Sequence, residues 1–127
     1  ARIYPVTADV CGLPFENGSV DLVVSRGSLF FWHDRSVGFR EIYRILRPGG
    51  AAYCGGGLGN AKVRAQVMAA FSDREALQGE KEPWQQMVGQ IFQKVTPEDL
   101  RQELAQAQVP ATVSQDDGGL WVQILKT

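Results

Sequence analysis

Four segments of the sequence carry groups suited to meeting a ligand: Ala8-Asp9-Val10, Ser25-Arg26-Gly27-Ser28, the glycine run from Cys54 to Asn60, and the turn from Asp116 to Gly119. Each closes a β-like run, and in open α/β sheets ligands bind outside the carboxyl ends of the strands, where helix N-termini also present amide donors. The Asp9 carboxylate accepts hydrogen bonds from amino groups, and a glycine such as Gly27 lets backbone approach a ligand closely. His33 is the only histidine and could take a proton as a general base. Its place between Trp32 and Asp34, ahead of a helix, suits packing and capping as well. Gly55-Gly56-Gly57-Leu58-Gly59 has the layout of a dinucleotide loop, yet Asp73 and Glu75 follow a helix rather than closing a second strand about 20 residues on.

Metal and redox chemistry find little support in the spacing. Cys11 and Cys54 are far apart without a CxxC, and one histidine cannot make a multi-histidine centre, so no metal-ligand set is expected. A disulfide framework is not expected either, and reduced thiols in a cytoplasmic protein are the default. The 127 residues carry 13 basic and 14 acidic side chains, a formal charge of -1, with both signs scattered. That balance argues against a nucleic-acid partner, which calls for a basic face. The longest apolar stretches fall well short of the roughly 20 residues that span a bilayer, so no membrane association is expected.

These residues need elements to position them. Ile3 to Val6 is β-leaning and ends at Asp9; Val20 to Ser25 is a β-branched run of the kind buried on both faces in a parallel sheet. Asp34 or Ser36 caps a helix carrying Val37, Ile42, Ile45 and Leu46, which Arg47-Pro48-Gly49-Gly50 stops. Ala51 to Cys54 reads as a strand, followed by a helix with Val63, Val67, Met68 and Phe71. Ser72 to Glu82 reads as a loop, and Trp84 to Val95 as a further helix. Thr96-Pro97-Glu98-Asp99 starts a helix running to about Gln108, with Thr96 as cap and Asp99 placed to bond back to it. Ala111 to Ser114 and Leu120 to Leu125 flank Asp116-Asp117-Gly118-Gly119 as a β-hairpin. Strands alternating with helices make the expected fold α/β, with an antiparallel last strand.

Three motifs in order, Ala8-Asp9-Val10-Cys11-Gly12-Leu13-Pro14-Phe15, Ser19-Val20-Asp21-Leu22-Val23-Val24-Ser25 and Glu41-Ile42-Tyr43-Arg44-Ile45-Leu46-Arg47-Pro48-Gly49-Gly50, together resemble the middle and end of a class I S-adenosylmethionine-dependent methyltransferase. The likeness is to the small-molecule, type 11-like branch, and the Thr96 helix and final hairpin fit it too. It implies a Rossmann-like sheet and S-adenosylmethionine as cofactor, with S-adenosylhomocysteine as product. By position it implies that Asp9 bonds the adenine exocyclic amine, that the Val10 amide meets a ring nitrogen, and that Ser25, Arg26 and Gly27 lie against the methionine part. The glycine run becomes the turn bordering the acceptor pocket, with Phe30, Phe31, Trp32 and Trp84 as candidate walls. Glu41 with Arg44 reads as helix ion pairing.

The resemblance also defines what is missing. In the family's strand order 3-2-1-4-5-7-6, Ile3 to Val6 is the third strand and Val20 to Ser25 the fourth, and the first two strands are lacking in this chain. The expectation is a single, N-terminally incomplete methyltransferase domain, roughly the last 60 to 65% of one. A strand edge so exposed also offers a route to a homodimer. The expected function is methyl transfer to a small-molecule acceptor. The alternative is a non-catalytic methyltransferase-like domain without cofactor.

Overall fold

The computed structural model describes residues 2–57, 62–63, 65–70 and 95–127. Strand β1 (Val20–Arg26) leads through a single 3-10 turn (Leu29–Phe31) to helix α1 (Arg35–Ile45) and strand β2 (Leu46–Gly56). Residues 62–63 and 65–70 are helical. Helix α2 (Pro97–Ala107) and the strands β3 (Ala111–Asp116) and β4 (Gly119–Leu125) follow. The expected helix from Trp84 lies outside the described residues except for Val95, which is buried and not helical.

Local chemistry sets the boundaries. The Asp34 carboxylate accepts from the Val37 amide at 3.2 Å and caps α1. The helix stop acts at once: β2 begins at Leu46, five residues before the expected strand, because Gly49 at a φ of 85° turns the chain into the sheet. Its ladder with β1 shifts register between Val20 and Leu22, where that turn is absorbed. Thr96 and Asp99 form a reciprocal capping box, Thr96 Oγ1 accepting from the Asp99 amide at 3.1 Å and Asp99 Oδ2 from the Thr96 amide at 3.0 Å. Asp117-Gly118 closes the hairpin as a two-residue turn, with Asp116 opposite Gly119.

The sheet order is β1-β2-β4-β3, with β1 parallel to β2 and the other neighbours antiparallel. Both labelled helices pack on one face, where Phe39, Ile42, Leu100, Cys54, Val122 and Ile124 are essentially fully buried. A bidentate pair at 2.7 Å, Arg35 to Glu103, joins α1 to α2.

Two expectations are corrected. Ile3 to Val6 forms no strand; Ile3 is 82% exposed and this segment has no ladder partner among the described residues, without which an extended segment satisfies its backbone with water. Strand β1 is half-buried, and on one face only. Its Val23 and Ser25 face the helices opposite Ala52 and Cys54, while Leu22 and Val24 are 55% and 71% exposed on the far side. No described element covers that side, so a run suited to burial on both faces is half used.

Candidate cofactor site

Residues 9 to 12 form a tight turn: the Gly12 amide donates to the Asp9 carbonyl at 2.9 Å, and the Cys11 amide to Asp9 Oδ1 at 2.8 Å. One carboxylate oxygen thus shapes the turn, while Oδ2 faces His33 Nδ1 at 4.0 Å. The Asp9 side chain stays 63% exposed. Val10 is half-buried against the core.

A latch from α1 holds the next residues. Arg44 donates to the carbonyls of Leu13 at 2.9 Å and Phe15 at 2.8 Å and to Asn17 Oδ1 at 2.8 Å, and Glu41 Oε1 accepts from the Leu13 amide at 2.9 Å. Glu41 and Arg44 also pair at 2.7 Å. Their bond holds the Glu41 carboxyl below its ordinary range, and the Leu13 amide adds to this. Reading the pair as helix ion pairing missed its larger part, which is to fix the loop between the Asp9 turn and β1.

At the end of β1 the Ser25 and Ser28 hydroxyls meet at 2.6 Å, and Trp32 Nε1 donates to Ser28 Oγ at 3.1 Å. Arg26 Nη2 reaches across to the Gly57 carbonyl at 3.1 Å. The Gly27 amide donates to the Gly55 carbonyl at 2.7 Å, its φ of 84° lies in the region that favours glycine, and the space where a side chain would project is open. In contrast, Gly55, Gly56 and Gly57 face strand β4, the Phe30 ring and the hairpin turn so closely that a Cβ would collide. Backbone packing therefore accounts for these three glycines. Residues 58 to 61 lie outside the described set.

The fold gathers three of the four strand ends singled out in the sequence: the close of β1, the close of β2, and the hairpin turn against Gly56 and Gly57. Trp32 links the first of these to the Asp9 turn. Its ring packs edge-on against Phe39 at 5.5 Å and beside Gly38, where Val10 also approaches, while its indole N–H holds Ser28. Of the other candidate walls, Phe30 is buried, Phe31 is exposed, and Trp84 lies outside the described residues. His33 is 72% exposed and neither caps nor packs; those tasks fall to Asp34 and Trp32.

The two thiols differ sharply. Burial pushes the Cys54 thiol up to about 11, with the side chain wholly enclosed. Cys11 is only half-buried; burial raises its thiol too, and the Asp9 charge adds to this. Alkylation of the native protein at neutral pH is expected to modify Cys11 and spare Cys54, with both reacting in denaturant, as read by peptide mass spectrometry. Native labelling of Cys54 would contradict this packing.

An open mixed sheet with α1 between its two parallel strands and an antiparallel hairpin beside them is the Rossmann-like class I methyltransferase fold. The comparisons agree. Residues 2–54 match the family model described as a methyltransferase domain. A solved chain from Methanococcus maripaludis, described as a candidate S-adenosyl-L-methionine-dependent methyltransferase, is 35% identical, with a TM-score of 0.79 over 96% of this chain and 53% of that one. The uncharacterized protein YafE of Escherichia coli is 50% identical over 38 residues, 30% of this chain and 18% of that protein. The chloroplastic 2-methyl-6-phytyl-1,4-hydroquinone methyltransferase of Arabidopsis thaliana is 45% identical over 47 residues, 37% of this chain and 14% of that protein. In fold, and over residues 2–54 in sequence, the chain is similar to the class I S-adenosylmethionine-dependent methyltransferases. It spans about half of the solved relative and a smaller share of the curated ones. Among the described residues no helix is long and apolar enough to cross a membrane.

Proposed function

We propose that the protein transfers a methyl group from S-adenosylmethionine to an oxygen, nitrogen or carbon of a small-molecule acceptor. The bound cofactor supplies an activated methyl on a sulfonium, leaving S-adenosylhomocysteine. Asp9 accepts from the adenine exocyclic amine through Oδ2, the Val10 amide donates to a ring nitrogen, and Ser25, Arg26 and Gly27 line the methionine part. The observation that supports this reading is the pairing of open space at Gly27 with an exposed Asp9 turn, the two segments linked through Trp32. These residues position rather than react, and methyl transfer to a good nucleophile draws its rate from proximity and in-line alignment. His33 is not assigned as a base.

The site as described is one side of a cleft. The apolar side chains Leu22, Val24, Tyr53 and Leu125 are exposed on the uncovered face of the sheet, and β1 is one of the two edge strands among the described residues. Further strands against β1, with helices over that face, would complete the domain and the grip on the ribose; pairing of two copies through this edge is the rival arrangement. The two free cysteines suit a reducing compartment such as the cytoplasm.

Calorimetric titration with S-adenosylhomocysteine tests the reading, on this chain and on a longer polypeptide carrying strands against β1. Binding is expected in the longer form, and Asp9→Ala should weaken it about 10- to 100-fold, the worth of a hydrogen bond to a charged group. Unchanged affinity in Asp9→Ala would remove the adenine assignment. No binding by either form would favour a non-catalytic domain.

A further inference from the structure

The turn at Asp9 and the segment leading into α1 bring together three side chains that the sequence separates: Asp9, Cys11 and His33. Their donor atoms all lie within 4.8 Å of one another, His33 Nδ1 being 3.9 Å from Cys11 Sγ and 4.0 Å from Asp9 Oδ2. We propose that Asp9, Cys11 and His33 form a three-ligand site for a zinc-class divalent ion.

Zinc binds sulfur at about 2.3 Å and nitrogen or oxygen at about 2.0–2.2 Å, so tetrahedral ligand atoms stand about 3.3–3.6 Å apart. The two His33 contacts stand about half an ångström outside that spacing, and the Cys11 to Asp9 pair lies within 4.8 Å, so side-chain rotations must draw all three together. Each ligand is already oriented. Asp9 Oδ1 is engaged by the Cys11 amide, which leaves Oδ2 turned to the group; the Gly12 to Asp9 bond keeps Asp9 and Cys11 on one turn. His33 is carried between the packed Trp32 and the helix cap Asp34, whose carbonyl receives the Cys11 thiol at 3.3 Å. On binding, that thiol releases its proton to solvent and the thiolate takes the ion. One thiolate, one imidazole and one carboxylate are a donor set for zinc or cobalt rather than for magnesium or calcium, which prefer oxygen alone. The high exposure of Asp9 and His33 leaves a fourth position for water.

Occupancy has a consequence for the cofactor, because an ion on Asp9 Oδ2 removes the acceptor proposed for adenine. That consequence rests on the proposed function; the ion site does not, and the two fail separately. The test uses cobalt(II) as a spectroscopic substitute for zinc, titrated into the reduced chain. A thiolate-to-cobalt charge-transfer band that zinc abolishes is expected. Cys11→Ser should lose the band, His33→Gln should weaken cobalt binding about tenfold or more, and Cys54→Ser should leave both unchanged. No band in the native chain, or a band that persists in Cys11→Ser, would overturn the site whatever the cofactor titration shows.

Discussion

Replacing Phe39 with alanine is expected to lower the free energy of unfolding by about 3–5 kcal/mol, a large part of the roughly 5–15 kcal/mol that holds a domain of ordinary size. Phe39 is completely buried at the centre of α1, within the cluster that joins α1, α2 and the covered face of the sheet. Its truncation removes the transfer energy of the ring and leaves a cavity that the capped, bidentately tied helices cannot easily close. It also removes the ring on which Trp32 rests edge-on. The expectation is therefore double: a lower midpoint in urea denaturation, and a native tryptophan emission altered before unfolding begins. Phe39→Leu, which fills most of the volume, should recover most of the stability. A loss below about 1 kcal/mol in Phe39→Ala would show that this residue does not anchor the core.

Gly119→Ala is the second large effect, and its cause is backbone rather than cavity. Gly119 has a φ of 112°, and an added Cβ would overlap the Gly56 carbonyl oxygen and press on Gly57. Strain at positive φ and overpacking each cost about 1–3 kcal/mol, so about 2–6 kcal/mol is expected together. Gly18→Ala separates the two terms. Gly18 has a φ of 64°, yet its nearest neighbour to a Cβ is 3.9 Å away, so it should show the strain alone. If the two variants unfold at the same urea concentration, the close approach of the hairpin to the end of β2 is not a packing constraint. If Gly119→Ala is much the weaker, hydrogen exchange should show β3 and β4 opening ahead of α1.

How far the sequence was legible depends on the range of the interaction. The Thr96 to Asp99 box and the Asp116 to Gly119 turn each involve residues two to four apart and are legible in the sequence, as is a cap for α1 at Asp34 or Ser36, of which the structure selects Asp34. The helix stop was readable as well, although the strand that follows begins five residues early because the same Pro-Gly-Gly segment both ends α1 and enters the sheet. Ile3 to Val6 was misread for the opposite reason: its composition favours a strand, but a strand exists only with a partner, and none is described beside it.

The candidate site divides the same way. The strand ends at Ser25 to Gly27 and Cys54 to Gly57, and the turn at Asp116 to Gly119, were marked by glycine and β-branched patterning, and parallel pairing of β1 with β2 brings them side by side. The Arg44 latch spans 27 to 31 residues and looked like a local helix pair. The grouping of Cys11 with His33 spans 22 residues, and ligand spacing along the chain gave no hint of it. Trp32 was a candidate wall; its bonds show a strut between two parts of the site.

By itself the sequence determined the α/β class, the order of elements from Val20 to Leu46 and from Thr96 to Leu125, the helix starts and turns, and a motif succession that resembles the methyltransferases, because each of these is written in contacts of a few residues or in the periodicity of apolar side chains. Only the tertiary structure decided which face of β1 is covered, what Glu41 and Arg44 hold, and that Asp9, Cys11 and His33 meet. Those outcomes depend on where distant segments are carried by the path of the backbone, and no local pattern of residue types encodes that path.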